Sequence, residues 1–230
     1  MNKLTNLAFI AGLLSPWSFG QAPAREPVVA EEASPPLDHE VAFFEVTNGS
    51  LMHGLSELSR NAGVPLHLGV ELALRERLAD AVDGGVPFFS VHLERQTVRD
   101  ILNALCKFDP RYQWSTDGET IEIYPVARAR DASDLLNFRI AQIKLAGVPD
   151  PGQALTPLSK QFPDEQVGYM SMGGNSSYRE GWTVTFEHVS VRQFIDRITE
   201  HMGPASAWVW QGGKDARMFT FIKGGFYDSR

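Results

Sequence analysis

The sequence predicts an α+β fold made of two tandem β-α-β-β-α-β-β units, each with two helices packed with small split sheets. Three observations carry it. Residues 88–126, FFSVHLERQTVRDILNALCKFDPRYQWSTDGETIEIYPV, and residues 183–224, TVTFEHVSVRQFIDRITEHMGPASAWVWQGGKDARMFTFIKG, follow one plan. In each, an alternating strand meets a Thr or Ser cap, then come a helix, an aromatic strand, a polar turn and a returning strand. The helices match position by position, Val98, Ile101, Leu102 and Leu105 against Val191, Phe194, Ile195 and Ile198. That i, i+3, i+4, i+7 spacing makes one apolar face. Upstream of each copy a further helix repeats the theme, with Leu55, Leu58 and Ala62 answered by Leu155, Leu158 and Phe162.

The chain of 230 residues has room for two modest cores. Units of roughly 85–95 residues fall in the usual domain range. A net charge of −7 and a pI near 5.4 exclude the clustered basic face that nucleic-acid binding needs. Residues 1–24 open with Asn2 and Lys3, continue through an apolar run at 7–14 and end in small residues, which reads as a secretory signal peptide. The run is too short to span a bilayer, and Pro16 interrupts it. No Cys follows it to carry a lipid, so the expected mature chain is periplasmic or secreted, bacterial and soluble, with no transmembrane span. Cys106 is the single cysteine, so no internal disulfide is expected and the cores must hold the fold.

Residues 22–36 are rich in Pro, Ala and Glu without an apolar period, which predicts a disordered leader. Residues 43–47 alternate as a strand, and the Asn48-Gly49-Ser50 turn offers a cap for a helix with Leu51, Leu55, Leu58 and Ala62 on one face. Residues 64–70 read as a strand that Pro65 keeps at an edge or makes start late. Residues 72–82 read as a short helix or crossover. A strand over 88–93, a helix over 97–108 and a hairpin of 112–115 with 120–124 complete the first unit.

The second unit begins with a strand over 137–145 whose slipped alternation marks a bulge. Asp150-Pro151 then starts a helix, acid at the cap and Pro in the first position. Strands follow over 167–172 and 182–187, separated by a loop over 173–181, and Ser190 with Gln193 forms a capping box. The resulting organisation is a signal peptide over 1–24, a disordered leader over 25–40, a first unit over 41–126, a linker over 127–136, a second, more divergent unit over 137–225 and a tail over 226–230.

The segments SLMHGLSELSRNAGVPLHLGVEL, FFSVHLE and QTVRDILNALCKFDPRYQW, with the hairpin after them, give the first unit a resemblance. It resembles the short N-terminal (STN) domain shared by secretins and TonB-dependent signal-transducing receptors. The second unit is similar at greater distance, chiefly over 153–162 and 184–203. The resemblance implies two helices between two small sheets, and a domain that binds periplasmic protein partners in secretion or TonB-type signalling and catalyses nothing. With no barrel, plug or transmembrane strands in the chain, a stand-alone exported adaptor for an envelope protein is the expectation.

The residues themselves offer little chemistry. The six His are scattered without the close His pair and carboxylate of a zinc site, so no metal is expected. His201, near a helix C-terminus, suits the helix dipole. Ser171 in Tyr-Met-Ser-Met-Gly lacks the first glycine and the following helix of a nucleophile elbow. Gly173-Gly174-Asn175-Ser176-Ser177 has no Lys and opens no helix, so it is no phosphate cradle. Asp80, Asp83, Glu94 and Asp100 have no defined pairing. Cys106 reads as a buried, inert thiol. No catalytic residue and no cofactor are expected.

Trp208 and Trp210 share one strand face, as do Phe219 and Phe221, and Tyr112, Trp114, Ile121 and Ile123 hold the equivalent places in the first unit; core packing is the simpler account of them. Partner binding, if it uses the 173–181 loop, falls to Trp182 at its mouth with Asn175, Ser176, Tyr178 and Arg179. A cell-wall glycan-binding module, or an envelope hydrolase with its site near that loop, is the alternative.

Overall fold

Alternation along the strands decides how this chain is layered. The computed structural model describes residues 35–73, 87–127, 134–163, 167–172, 181–212 and 217–224. The signal peptide, nearly all of the helix or crossover expected over 72–82, nearly all of the 173–181 loop and the whole 226–230 tail therefore lie outside the described residues. The fold is α+β, with four α-helices among the described residues. In order it runs β1 (Glu40–Gly49), α1 (Leu51–Asn61), β2 (His67–Leu72), β3 (Phe89–Thr97), α2 (Val98–Phe108), β4 (Tyr112–Asp117) and β5 (Thr120–Pro125). It continues with β6 (Arg139–Val148), α3 (Pro151–Gln161), β7 (Gly168–Met172), β8 (Trp182–Ser190), α4 (Val191–His201), β9 (Ala207–Gly212) and β10 (Arg217–Ile222).

Each helix starts where a side chain caps it. Ser50, Thr97, Asp150 and Ser190 accept from the backbone N–H three residues on, and Ser190 and Gln193 complete a reciprocal box. Such a cap stabilises a helix by about 1 kcal/mol. The corresponding strands share detail as well. β1 and β6 carry nearly the same burial pattern and both have a bulge near their ends, where Asn48 and Gly147 take positive φ. Arg95 and His188, each three residues before its helix, are left-handed at φ 51° and 54°. Val98 and Val191 each donate an N–H back to the residue before the first strand, His39 and Phe138.

Two antiparallel ribbons, β1-β3 and β6-β8, stand apart from a single six-stranded sheet of order β4-β5-β2-β9-β10-β7. This corrects the expectation of separate small sheets: β2 pairs in parallel with β9, from Leu68↔Ala207 to Leu72↔Gln211, and joins the strands of both halves edge to edge. Alternation then sends side chains of the same strands into two different cores. Leu68, Val70, Ile121, Ile123, Ala207 and Val209 pack with α1 and α2, while Trp208, Trp210, Phe219 and Phe221 pack with α3 and α4. One helix pair therefore covers each face of the sheet, and β1-β3 and β6-β8 close the outer sides.

β2 begins only at His67, after Pro65, which has no N–H for a ladder. β6 and β8 each run three residues beyond the expected ends, carried through the bulge and the left-handed His188. Leu135 and Leu136, expected in a linker, form a buried 3-10 turn in the second core. No helix among the described residues is long and apolar enough to cross a membrane.

Candidate functional site

The seam between β2 and β9 collects the buried charge. Because Leu68, Val70, Ile121 and Ile123 face the first core, Gly69 and Glu71 of β2 and Glu122 and Tyr124 of β5 face the other way. On a free sheet that face would be wet. Here α4 comes over it: Phe194, Ile195 and Ile198 enter the second core, and a second stripe, Arg192, Asp196 and Thr199, turns to the strands of the first half. Gly69 lets the helices and strands close up, since a Cβ there would lie 2.6 Å from the Trp208 indole.

Arg192 is the cation of this seam. Its Nη2 donates to Glu71 Oε2 at 2.7 Å, its Nε lies 3.8 Å from Glu122 Oε1, and its guanidinium covers the Tyr124 ring at 5.4 Å. Glu71 is fully buried, so the pair is desolvated. Asp196 Oδ1 accepts from Trp208 Nε1 at 2.7 Å, and Ser115 Oγ donates to Glu122 Oε2 at 3.4 Å. Burial, then repulsion from Glu122, holds the Asp196 carboxyl well above the ordinary carboxylate range. Burial also raises Glu122, against the pull of Arg192. For Arg192, burial would lower the pKa, and Glu122 and Glu71 outweigh it. Oxygens of Asp117, Glu122 and Asp196 lie within 4.8 Å of one another, the one such group among the described residues that could bridge a cation. Arg192 already supplies positive charge there, and no ion is assigned.

At the C-terminal end of α4, Glu200 clasps the β4-β5 turn. Its Oε1 accepts from Glu119 N and Thr120 Oγ1, both at 3.2 Å, and its Oε2 accepts from Arg197 Nη1 at 2.8 Å. His67 lies beneath, 3.7 Å from Glu119 Oε2, and burial lowers its pKa. Beyond this clasp opens a groove of about 530 Å³, walled by Asp117 and Glu119, by Trp182 and Phe186 of β8, and by Arg197 and His201 of α4. The Trp182 and His201 rings stack at 4.3 Å and 14°, and Phe186 meets Trp182 edge-on at 5.6 Å. Burial lowers the His201 pKa, so the stack holds a neutral imidazole near neutrality.

A third feature is the outer edge of the sheet. Every residue of β7 is exposed, with Tyr169 at 53%, Met170 at 44% and Met172 at 43%. β7 pairs in parallel with β10 on one side, and no strand pairs its other side among the described residues.

Of the sequence candidates, Trp182 lines the groove, while Asn175, Ser176, Tyr178 and Arg179 lie outside the described residues. Ser171 sits in β7 rather than on a strand-to-helix turn. Trp208, Trp210, Phe219 and Phe221 are core. The Cys106 thiol is pushed up to about 11 by burial and then by Asp109, which keeps it protonated. Glu94 contacts His92 at 3.2 Å and Asp100 accepts from Thr97 Oγ1 at 2.6 Å, while Asp80 and Asp83 lie outside the described residues. Sequence reasoning missed Glu71, Asp117, Glu122, Arg192 and Asp196. The available signal was a lone acid in each of two apolar strands, HLGVEL and TIEIYP, and the second stripe of α4.

The chain matches no family model, no curated protein and no solved structure in comparison with each.

Proposed function

We propose that this chain is a non-enzymatic, exported envelope protein of two tandem STN-like units that acts as an adaptor, accepting a strand of a protein partner on the free side of β7. The observation that carries the reading is that edge. An uncharged strand with large apolar side chains exposed and no strand paired on one side among the described residues is a template for another strand, and proteins that do not use such an edge shield it. The repeated element order, the matched caps and the matched left-handed residues support the tandem reading. The apolar run over residues 7–14 supports export. Against a hydrolase, the carboxyls most altered by burial, Glu122 and Asp196, lie beneath α4 and do not line the groove.

The test is in-cell photo-cross-linking with a benzophenone amino acid at position 171. A discrete adduct with one envelope protein, lost when Met170→Asp or Met172→Asp is added, is the expected result. No adduct from position 171, together with glycan adducts from position 182, would overturn the reading in favour of a glycan-binding module at the groove.

A further inference from the structure

Among the described residues, the seam under α4 holds more acid than base. Facing one another there are Arg192 and Asp196 from α4, Glu71 from β2, Glu122 and Tyr124 from β5, Ser115 and Asp117 from β4, and the Trp208 indole from β9. One guanidinium thus stands among four carboxyls. Arg192 is committed to Glu71, Trp208 donates to Asp196 Oδ1, and Ser115 donates to Glu122 Oε2, yet Glu122 Oε1 and Asp196 Oδ2 meet no N–H or hydroxyl donor. Both residues are more than nine-tenths buried. Oxygens of the two carboxyl groups lie within 4.8 Å of each other, and two carboxylates that close in a buried site are held together only with a proton between them.

We propose that Glu122 and Asp196 share one proton, and that this proton latches α4 onto β2 and β5, so that the seam tightens in mild acid and loosens as the pH rises. The inference rests on the seam alone and stands whatever binds β7. Asp196 is the carrier, because it is the more deeply buried of the two, and Arg192 Nε lies 3.8 Å from Glu122 Oε1, which favours ionised Glu122. Loss of the proton puts two like charges in a buried site, and the repulsion acts between α4, which carries Asp196, and β5, which carries Glu122. Arg197 and His201 ride on α4 and wall the groove, so its width follows the latch.

The sign of the pH effect follows from proton counting. A carboxyl raised in the folded state keeps a proton that the unfolded chain releases, so stability is full below the ordinary carboxylate pKa and falls with rising pH until the folded value is passed. His67 and His201, both lowered, act in the opposite sense around the ordinary imidazole range, so the latch is read as a difference between proteins.

Urea unfolding of the full chain between about pH 5 and pH 9, for wild type and Asp196→Asn, tests this. The amide keeps an acceptor for Trp208 and can donate to Glu122 permanently. Inside the window the wild-type unfolding constant should rise about tenfold per pH unit relative to the variant, the signature of one proton. Parallel profiles would overturn the latch. A carboxyl carbon titration of the wild type by NMR covers the case in which Asp196→Asn does not fold. A neutral Asp196 carboxyl at neutral pH supports the latch, and an ionised one overturns it.

Discussion

Arg192 and Glu71 face each other across the seam with Nη2 2.7 Å from Oε2, in a site where the glutamate has no solvent exposure. The two residues are far apart in the chain, one on α4 and the other on β2, and their contact exists only because β2 and β9 pair. Replacing Arg192 by Met takes this cation from Glu71 and worsens the Glu122–Asp196 repulsion. Removing one partner of a buried ion pair costs about 3–5 kcal/mol, so Arg192→Met should lower the urea midpoint by that equivalent. Glu71→Met added to Arg192→Met should recover part of the loss, since the buried carboxylate that lost its Arg192 cation is then gone.

Gly69 should tolerate no large side chain. The Trp208 indole occupies the place of a Cβ, at 2.6 Å, and the ring is itself fixed by Asp196. Overpacking of this kind costs about 1–3 kcal/mol. Gly69→Val should fall in that range by equilibrium unfolding, and indole quenching by acrylamide should rise as Trp208 is displaced.

These two contacts mark where sequence reading stopped. Periodicity showed which residues of HLGVEL and TIEIYP are apolar, and Leu68, Val70, Ile121 and Ile123 are buried as that pattern implies. The caps at Thr97, Asp150 and Ser190 were equally legible, because each rests on residues within one turn. Edge pairing is different. Backbone groups pair β2 with β9, and backbone carries no sequence signature, so Glu71 and Glu122 read as a wet face. Trp182 could be singled out from its place beside a glycine loop, but its partner His201 comes from another element and only the fold brings the rings together.

The helix caps provide a matched internal comparison. Thr97 bonds Asp100 N at 3.1 Å, and Ser190 bonds Gln193 N at 3.1 Å with the Gln193 side chain returning to Ser190 N at 3.0 Å. Thr97→Ala should cost about 1 kcal/mol. Ser190→Ala should cost no more than Thr97→Ala in the same unfolding assay, because Gln193 Oε1 still accepts from the backbone N–H at position 190, whereas Thr97→Ala also loses the bond to Asp100 Oδ2.

Cys106 should be a slow thiol in the native state. Its pKa of about 11, set by burial and Asp109, leaves almost no thiolate near neutrality, and the thiolate is the reacting species. A disulfide reagent should label it far more slowly in buffer than in denaturing urea. Fast native labelling would mean that α2 opens readily.

The Trp182–His201 stack gives the groove its own pH marker. His201 is lowered because the indole and the groove wall withdraw it from water, at 4.3 Å between rings. Trp182→Ala uncovers the imidazole and removes the cause of the shift, so its pKa should move up toward the ordinary imidazole value of 6.5. The ring proton shifts of His201 measured by NMR across the pH range read this directly. The ring contact itself contributes about 0.5–1.5 kcal/mol to stability beyond its buried area. The two readouts separate a local role for Trp182 from a structural one: a large loss of stability would place the indole in the support of β8, whereas a shifted His201 in a protein of nearly unchanged stability would leave the stack as a surface feature open to a ligand.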